Sequence, residues 1–502
     1  MKSKFLKSIK NRVYQVDWQN TRPVGIISSS DAYFVNLSNK ILSIVNNIGV
    51  DEIFSVQSQR NIAIKVAAYF EDVISGFGLW QAFTSIHKTM FGKYLPFLDL
   101  NNEVYVPDEI NSEDVQFLIW AELQRYDIDN EVHRFLNPEN PMIFLLANVI
   151  YDLLDEEYET APANDAIYKY IHQTKLTDDI ITTRELLGWL HYDSYLSMSY
   201  PRLILKSEIE ELRSNKNNEF YRENFGTLSY AMEKIGIFSR NCSPLAIKAK
   251  DWLAQIFDGT PKAKMIEAID FKQTDNYNIV DFDNEYLTIV NAENEKLIVS
   301  LDSLGKQPEI KGNNSIMCSL FYFNDFWHVN GFASFSKLDK ELDNDNTKSK
   351  IKENNKLTYD YIIKKIKKPI SYYADSKDLI KVLTAIFPDS DNNRIFPDKF
   401  KSYSNFILFV HPEIGLSFYP ILASHVCDPK NPYYDKDVVE HEGLSVLTGL
   451  YEIPKELIEY LIDNNLLKNI ALKSLHGETY GKKQLQDNIR FVVRFFQPRL
   501  YN

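Results

Sequence analysis

A chain of 502 residues with 44% hydrophobic and 25% charged side chains is longer than one core normally grows, so roughly two to four folded domains are expected and a disordered or fibrous protein is excluded. Its 30 Tyr and 31 Phe point to extensive aromatic packing. The net charge of −13 is concentrated: from Asp99 to Thr160, sixteen Asp and Glu face only Arg125 and Arg134, leaving the rest of the chain near neutral; such an acidic face repels phosphate and rarely tracks a duplex, and suits a basic partner or a solvated surface.

The chain opens MKSKFLKSIKNRVYQVDWQ. Its lysines imitate the start of a secretory signal, but no apolar core follows them. The longest apolar stretch, IFLLANVIYDLL at 143 to 154, is broken by Asn148 and Asp152 and falls short of the roughly 20 residues of a membrane-spanning helix. Cys242, Cys318 and Cys427 lie far apart with no CxxC pattern, as reduced thiols do. A cytoplasmic protein without a membrane span is expected.

Helical spacing dominates the first half. SSSDAYFVNLSNKILSIVNNIG (28 to 49) offers Ser and Asp as caps, repeats apolar residues through Phe34, Leu37, Ile41, Leu42 and Val45, and ends on Gly49. In NPENPMIFLLANVIYDLLDEEYE, Asn140 is placed to cap, Pro141 suits the first turn, and Met142, Leu145, Leu146, Val149, Leu153 and Leu154 read as a core stripe. Further helices are predicted at 58 to 75, 110 to 125, 179 to 191, 205 to 217 and 243 to 257. Residues 1 to 260 therefore read as an all-α domain, with room for two subdomains.

After Asp270 short β-rich runs alternate with Asn, Asp and Glu breaks, and Asn324-Asp325 is placed as a turn between two aromatic strands. Residues 261 to 336 are read as a β-meander, and the polar stretch 337 to 356 as a linker or loop. From 357 to 502 the pattern alternates: helices near 357 to 368, 376 to 386, 413 to 426 and 454 to 467, a strand at NFILFV (405 to 410), and a final apolar run, IRFVVRFF. This region is expected to pack on the meander. The fold class is α+β, a mainly helical N-terminal half followed by a smaller meander plus helices.

Chemistry is sparse. HVCDPKNPYYDKDVVEHEG (425 to 443) gathers His425, Cys427, His441 and Glu442, all metal ligands by type. Their spacing matches neither C-x₂₋₄-C with H-x₃₋₅-H nor H-E-x-x-H, and the Asp-Pro and Asn-Pro breaks equally suit a fixed turn after an apolar helix. On the 141 to 159 helix, Asp152, Asp155, Glu156 and Glu159 share a face. They form a solvated surface or a dock for a basic partner, with Arg125, His133 and Arg134 as possible counter-charges. Lys364, Lys365, Lys367 and Lys368 form a basic cluster on a helix, which could touch nucleic acid or be a solvated face. Ser303-x-x-Lys306 and Ser334-x-x-Lys337 lack companion motifs, and no phosphate-binding glycine loop is present. No cofactor is implied.

NPENPMIFLLANVIYDLLDEEYETAPAN, HPEIGLSFYPILASHVCDPKNPYYDK and the terminal FVVRFFQP resemble segments of a bacterial family, chiefly from Bacteroidetes, of a domain of unknown function. The resemblance implies a cytoplasmic bacterial protein and carries no catalytic residue. The first functional expectation is a non-enzymatic interaction or scaffold protein with an acidic helical surface and a protein partner. The alternatives are a metal-dependent hydrolase or nuclease using His411, His425, His441, Glu413 and Glu442, and single-strand nucleic-acid binding through Lys364 to Lys368 and the aromatic strands 320 to 332.

Overall fold

A computed structural model describes residues 11–48, 55–98, 100, 104–129, 135–173, 180–197, 200–214, 219–242, 244–304, 310–337, 347–388 and 398–502. The chain divides into two compact units, Met1–Asn344 with Tyr501–Asn502, and Asp345–Leu500. The class is α+β with a helical N-terminal half.

The first unit begins with helices α1 (Gln15–Gln19), α2 (Asp31–Asn47), α3 (Val56–Ser75), α4 (Leu79–Phe91), α5 (Ser112–Asp129), α6 (Pro141–Tyr158) and α7 (Asp165–His172). It continues with α8 (Ile180–Tyr192), α9 (Tyr200–Ser214), α10 (Glu219–Glu223), α11 (Phe225–Ser239), α12 (Ala249–Ile256) and α13 (Pro261–Glu267). The central element is α3, which packs against α2 and α5. Ser55 caps it by accepting from the Ser58 amide, and Gly76 ends it at φ +66°, a left-handed conformation that disfavours any other residue. From Ile62 to Asp72 only Lys65 reaches solvent in part. Aromatic side chains fill the space around α3: Trp80 meets Tyr69 and Phe83 at 5.0 and 5.1 Å between ring centroids, and Phe83 stacks on Phe117 at 5.3 Å.

The local signals on α6 act as the sequence indicates, since the Asn140 side chain accepts from the Met142 amide at 2.9 Å and Pro141 opens the first turn. The phase of the helix differs. Ile143, Leu146, Ala147, Ile150 and Leu154 are buried, not the stripe through Leu145 and Val149. Met142 to Leu154 is apolar on both sides, so spacing alone does not fix which side the core takes.

Five strands follow: β1 (Asp270–Phe282), β2 (Tyr286–Val290), β3 (Lys296–Ser300), β4 (Ser315–Phe323) and β5 (Phe326–Ser336). β1, β2 and β3 run up and down, but the sheet does not stop there. It closes into a barrel of order β1-β2-β3-β5-β4. The long β1 pairs with β4 along its first part and with β2 at its end, and β3 meets β5 in parallel through Val299–Trp327 and Ser300–His328. This is the strand order of an OB-type Greek-key barrel. Asn324 and Asp325 take φ +54° and +69°, the turn whose twist matches its flanking strands. Leu287, Ile289, Leu297, Val299, Leu320 and Val329 fill the interior. Outside, α11 lies on the barrel: Phe238 stacks on Phe271 and Phe321 at 5.8 and 5.0 Å, and the Asn330 amide donates to the Lys234 carbonyl at 3.0 Å.

The second unit holds α14 (Thr347–Ile366), β6 (Ile370–Asp375), α15 (Ser376–Ile386), β7 (Ser404–His411) and β8 (Gly415–Tyr419), then α16 (Lys436–Thr448), α17 (Lys455–Asp463), α18 (Glu478–Gln486) and α19 (Ile489–Phe496). The strands form an antiparallel sheet, β6-β7-β8. Residues 347 to 356 were expected in a linker and instead form the first half of α14. Lys and Glu are good helix formers, and Ile362 of the same helix is buried against Ile386 and Val410. The part of that expected linker from 338 to 346 lies outside the described residues. The helix expected at 413 to 426 is absent. Leu416 and Tyr419 pair with Val410 and Ile407 in a strand, and a short 3-10 turn, Leu422–His425, follows.

Candidate functional site

The outer face of α6 carries a continuous surface of two kinds. Phe144, Leu145 and Val149 are 57%, 49% and 37% exposed, and one turn further on Asp152, Asp155, Glu156 and Glu159 are all exposed. Helical geometry puts these seven positions on one side, opposite the buried set. Glu157 points the other way and is held by the Tyr33 hydroxyl at 2.7 Å and by Lys40, both on α2. Acidic surroundings extend to α5, because the Tyr151 phenol is raised by burial and then by Asp155, Glu113, Asp152 and Glu109. The counter-charges expected from Arg125, His133 and Arg134 lie outside the described side chains.

The metal-type candidates are dispersed over a stitched loop. His425 is buried, its pKa lowered by that burial, with its ring 5.4 Å from the Tyr451 ring. Glu442 reaches the same Tyr451 from α16 and raises its phenol after burial does. Cys427 stands apart, its Sγ accepting from the Asn469 amide at 3.2 Å. His441 is exposed, with Nδ1 2.8 Å from the Asp437 carbonyl one turn back. Among the described residues no three His, Cys, Asp or Glu are gathered to hold a metal ion.

What does organise this stretch is its turn chemistry. The buried Asn431 amide donates to the Ala423 and Val426 carbonyls, both at 2.7 Å. Asp428 accepts from the Tyr372 hydroxyl at 2.8 Å, and Asp435 caps α16. The segment thus follows a strand and a 3-10 turn, not an apolar helix, and its last third is itself helical. His411 stacks on Phe409 at 5.9 Å, and its Nδ1 accepts from the Glu413 amide at 3.3 Å.

In the lysine cluster, Lys364 and Lys367 are exposed and Lys368 is half-buried. Lys365 caps the end of α15 by donating to the Ala385 and Ile386 carbonyls, each at 3.4 Å, and lies 4.4 Å from the Tyr361 ring centroid. The aromatic strands 320 to 332 belong to the other unit. There Phe321 and Phe323 are buried, Tyr322 packs on Trp327 at 5.4 Å, and Phe326 stacks on Tyr286 at 4.7 Å.

Buried carboxylates of the first unit escaped the sequence reading. Asp72 accepts from the amides of Gly78, Leu79 and Trp80 and from the Tyr195 hydroxyl at 2.7 Å, and burial pushes its carboxyl up to about 6. Asp114 accepts from the hydroxyls of Tyr105 and Tyr69 at 2.6 and 2.7 Å and is pushed up to about 7 by burial. Glu71 is paired with Arg22 and accepts from Asn164 at 2.8 Å; burial raises the acid and lowers the guanidinium. The one visible signal was AAYFEDVIS, two acids inside an otherwise core-like run.

Among the described residues no helix is long and apolar enough to cross a membrane. Neither the curated proteins nor the solved structures compared with the chain contain a match. A family model described as protein of unknown function (DUF3843) matches residues 12–296 and 324–497, spanning most of both units. The chain belongs to the DUF3843 family.

Proposed function

We propose that this is a non-enzymatic, cytoplasmic interaction protein that docks a basic, amphipathic segment of another protein on the outer face of α6. The observation that carries the reading is the exposure of Phe144, Leu145 and Val149 directly beside Asp152, Asp155, Glu156 and Glu159. Contiguous exposed apolar side chains rimmed by charge mark interaction surfaces. A carboxylate row at helical spacing repels itself by a few tenths of a kcal/mol per pair, a cost that lysines or arginines of a partner relieve. Apolar anchors supply affinity while the charges speed encounter and exclude acidic partners. Three free thiols fit a reducing compartment.

The test compares the chain with Val149→Asp and with the double variant Asp155→Lys, Glu156→Lys in affinity capture from cells of the source, followed by titration of the captured partner. A single stoichiometric partner with a basic amphipathic segment is expected, its affinity falling at least tenfold in each variant and weakening with salt. Retention of the same partner by both variants at unchanged affinity would overturn the reading.

A further inference from the structure

A cleft of about 320 Å³ opens in the first unit and shares no lining residue with the face of α6. One wall is a single face of α3, with Gln57, Arg60, Asn61, Ile64 and Lys65. Asp17, within α1, and Asn20, just past its end, form another. The turn after α8, with Tyr192, Asp193, Ser194 and Tyr195, completes it together with Arg202 of α9.

The charges in this cleft are already matched. Asp17 is paired with Arg60. Asp193 takes both Nε and a terminal nitrogen of Arg202 at 2.6–2.9 Å. Lys65 reaches the buried Glu122 at 2.5 Å, and the same carboxylate accepts from Asn61 at 2.9 Å. A phosphate entering here would have to compete with a carboxylate for each cation, and an ammonium group with a guanidinium for each acid. Both exchanges leave a partly buried charge without its partner, which is costly.

A neutral, hydroxyl-rich ligand breaks none of these pairs. Each hydroxyl both donates and accepts, and each Arg–Asp pair presents spare N–H donors next to spare carboxylate lone pairs. Gln57 donates to Asn61 at 2.8 Å, a further donor–acceptor pair at the exposed side of the cleft. Tyr195, pinned through its hydroxyl to Asp72, and Ile64 form the floor of the cleft and are only 6% and 8% exposed, so recognition rests on the polar walls. The volume is at the small end of the roughly 300–1,000 Å³ of ligand pockets. We infer that this cleft binds a neutral saccharide of one or two rings, held by the Asp17–Arg60 and Asp193–Arg202 pairs through its hydroxyls.

Saturation-transfer NMR on the full chain tests this with glucose, galactose, mannose, N-acetylglucosamine and maltose, and calorimetry with inorganic phosphate runs in parallel. Transfer to at least one sugar is expected, weakened tenfold or more by Arg202→Gln and by Asn20→Trp, with no phosphate binding. Asn20 is exposed at the rim, so its variant blocks the mouth without touching the core and keeps the test valid if Arg202→Gln disturbs folding. Absence of transfer to every sugar, transfer unchanged in the folded variants, or phosphate binding weakened by those variants each overturns the inference.

Discussion

Asp114 shows how much a single carboxyl can bias this fold. Burial holds it at about 7 against an ordinary 3.8, so between those values the folded chain keeps a proton that the unfolded chain has released. Its contribution to stability is complete below about pH 4 and is lost as pH rises through about 7. Asp72, raised to about 6, acts in the same direction over a lower window. His87 and His191, held down to about 4 and about 3 by burial, act oppositely: their contributions are present above about 6.5 and are lost as pH falls through those values. Asp114→Asn puts an amide donor in place of one of the two oxygens that accept from Tyr105 and Tyr69 and is expected to cost about 1–3 kcal/mol. Urea unfolding should show a wider gap between wild type and variant at pH 5 than at pH 8; equal gaps would contradict the protonated Asp114. Beyond the two acids in the core-like run AAYFEDVIS, this was not legible in sequence, because the partners Tyr69 and Tyr195 lie 45 and 123 residues from Asp114 and Asp72 respectively. Asn431 is the contrasting case. Its Asn-Pro context marked a turn, and Asn431→Ala, which removes the side-chain hydrogen bonds to the Ala423 and Val426 carbonyls but leaves each its backbone donor, is expected to cost about 1–3 kcal/mol by chemical denaturation, at roughly 0.5–1.5 kcal/mol per hydrogen bond. Cys427→Ala with His441→Ala should cost less, since Cys427 accepts one weak hydrogen bond and His441 is exposed.

At the scale of elements, what was readable is what is local. Asn140 and Pro141 start α6 through bonds within one turn, and Asn324-Asp325 sets its hairpin by its own backbone. What was not readable depends on a neighbour: the phase of α6, the strand at Gly415–Tyr419, and the seating of α11 on the barrel. That last contact rests on Gly331, at φ +93°, where an added Cβ would stand 2.8 Å from the Ala231 Cα. Gly331→Ala must move backbone on α11 or β5 and also adopts a disfavoured φ, which alone costs about 1–3 kcal/mol. Thermal unfolding should therefore occur at a clearly lower temperature. An unchanged midpoint would mean that α11 is not seated as described.

For the whole molecule, two compact units with separate cores imply two calorimetric transitions. Gly331→Ala is expected to lower only one of them and Asn431→Ala only the other. A destabilisation of 1 kcal/mol moves the transition of a domain of 150–250 residues by about 2–4 °C. A single transition shifted by both variants would show that the units unfold together. From composition several domains and an acidic segment are expected; a closed barrel is not, because closure is decided by which strands meet.

That closure has a consequence for synthesis. β3 ends at Ser300, while β5, its parallel partner, starts only at Phe326. As the chain leaves the ribosome, β1, β2 and β3 can pair with one another before β4 and β5 exist, leaving the free side of β3 as an unprotected strand edge. The hazard ends when Val299 and Ser300 meet Trp327 and His328. Slow translation or truncation between those points should therefore favour aggregation of the nascent chain, from a barrel that in its finished form has no edge to offer.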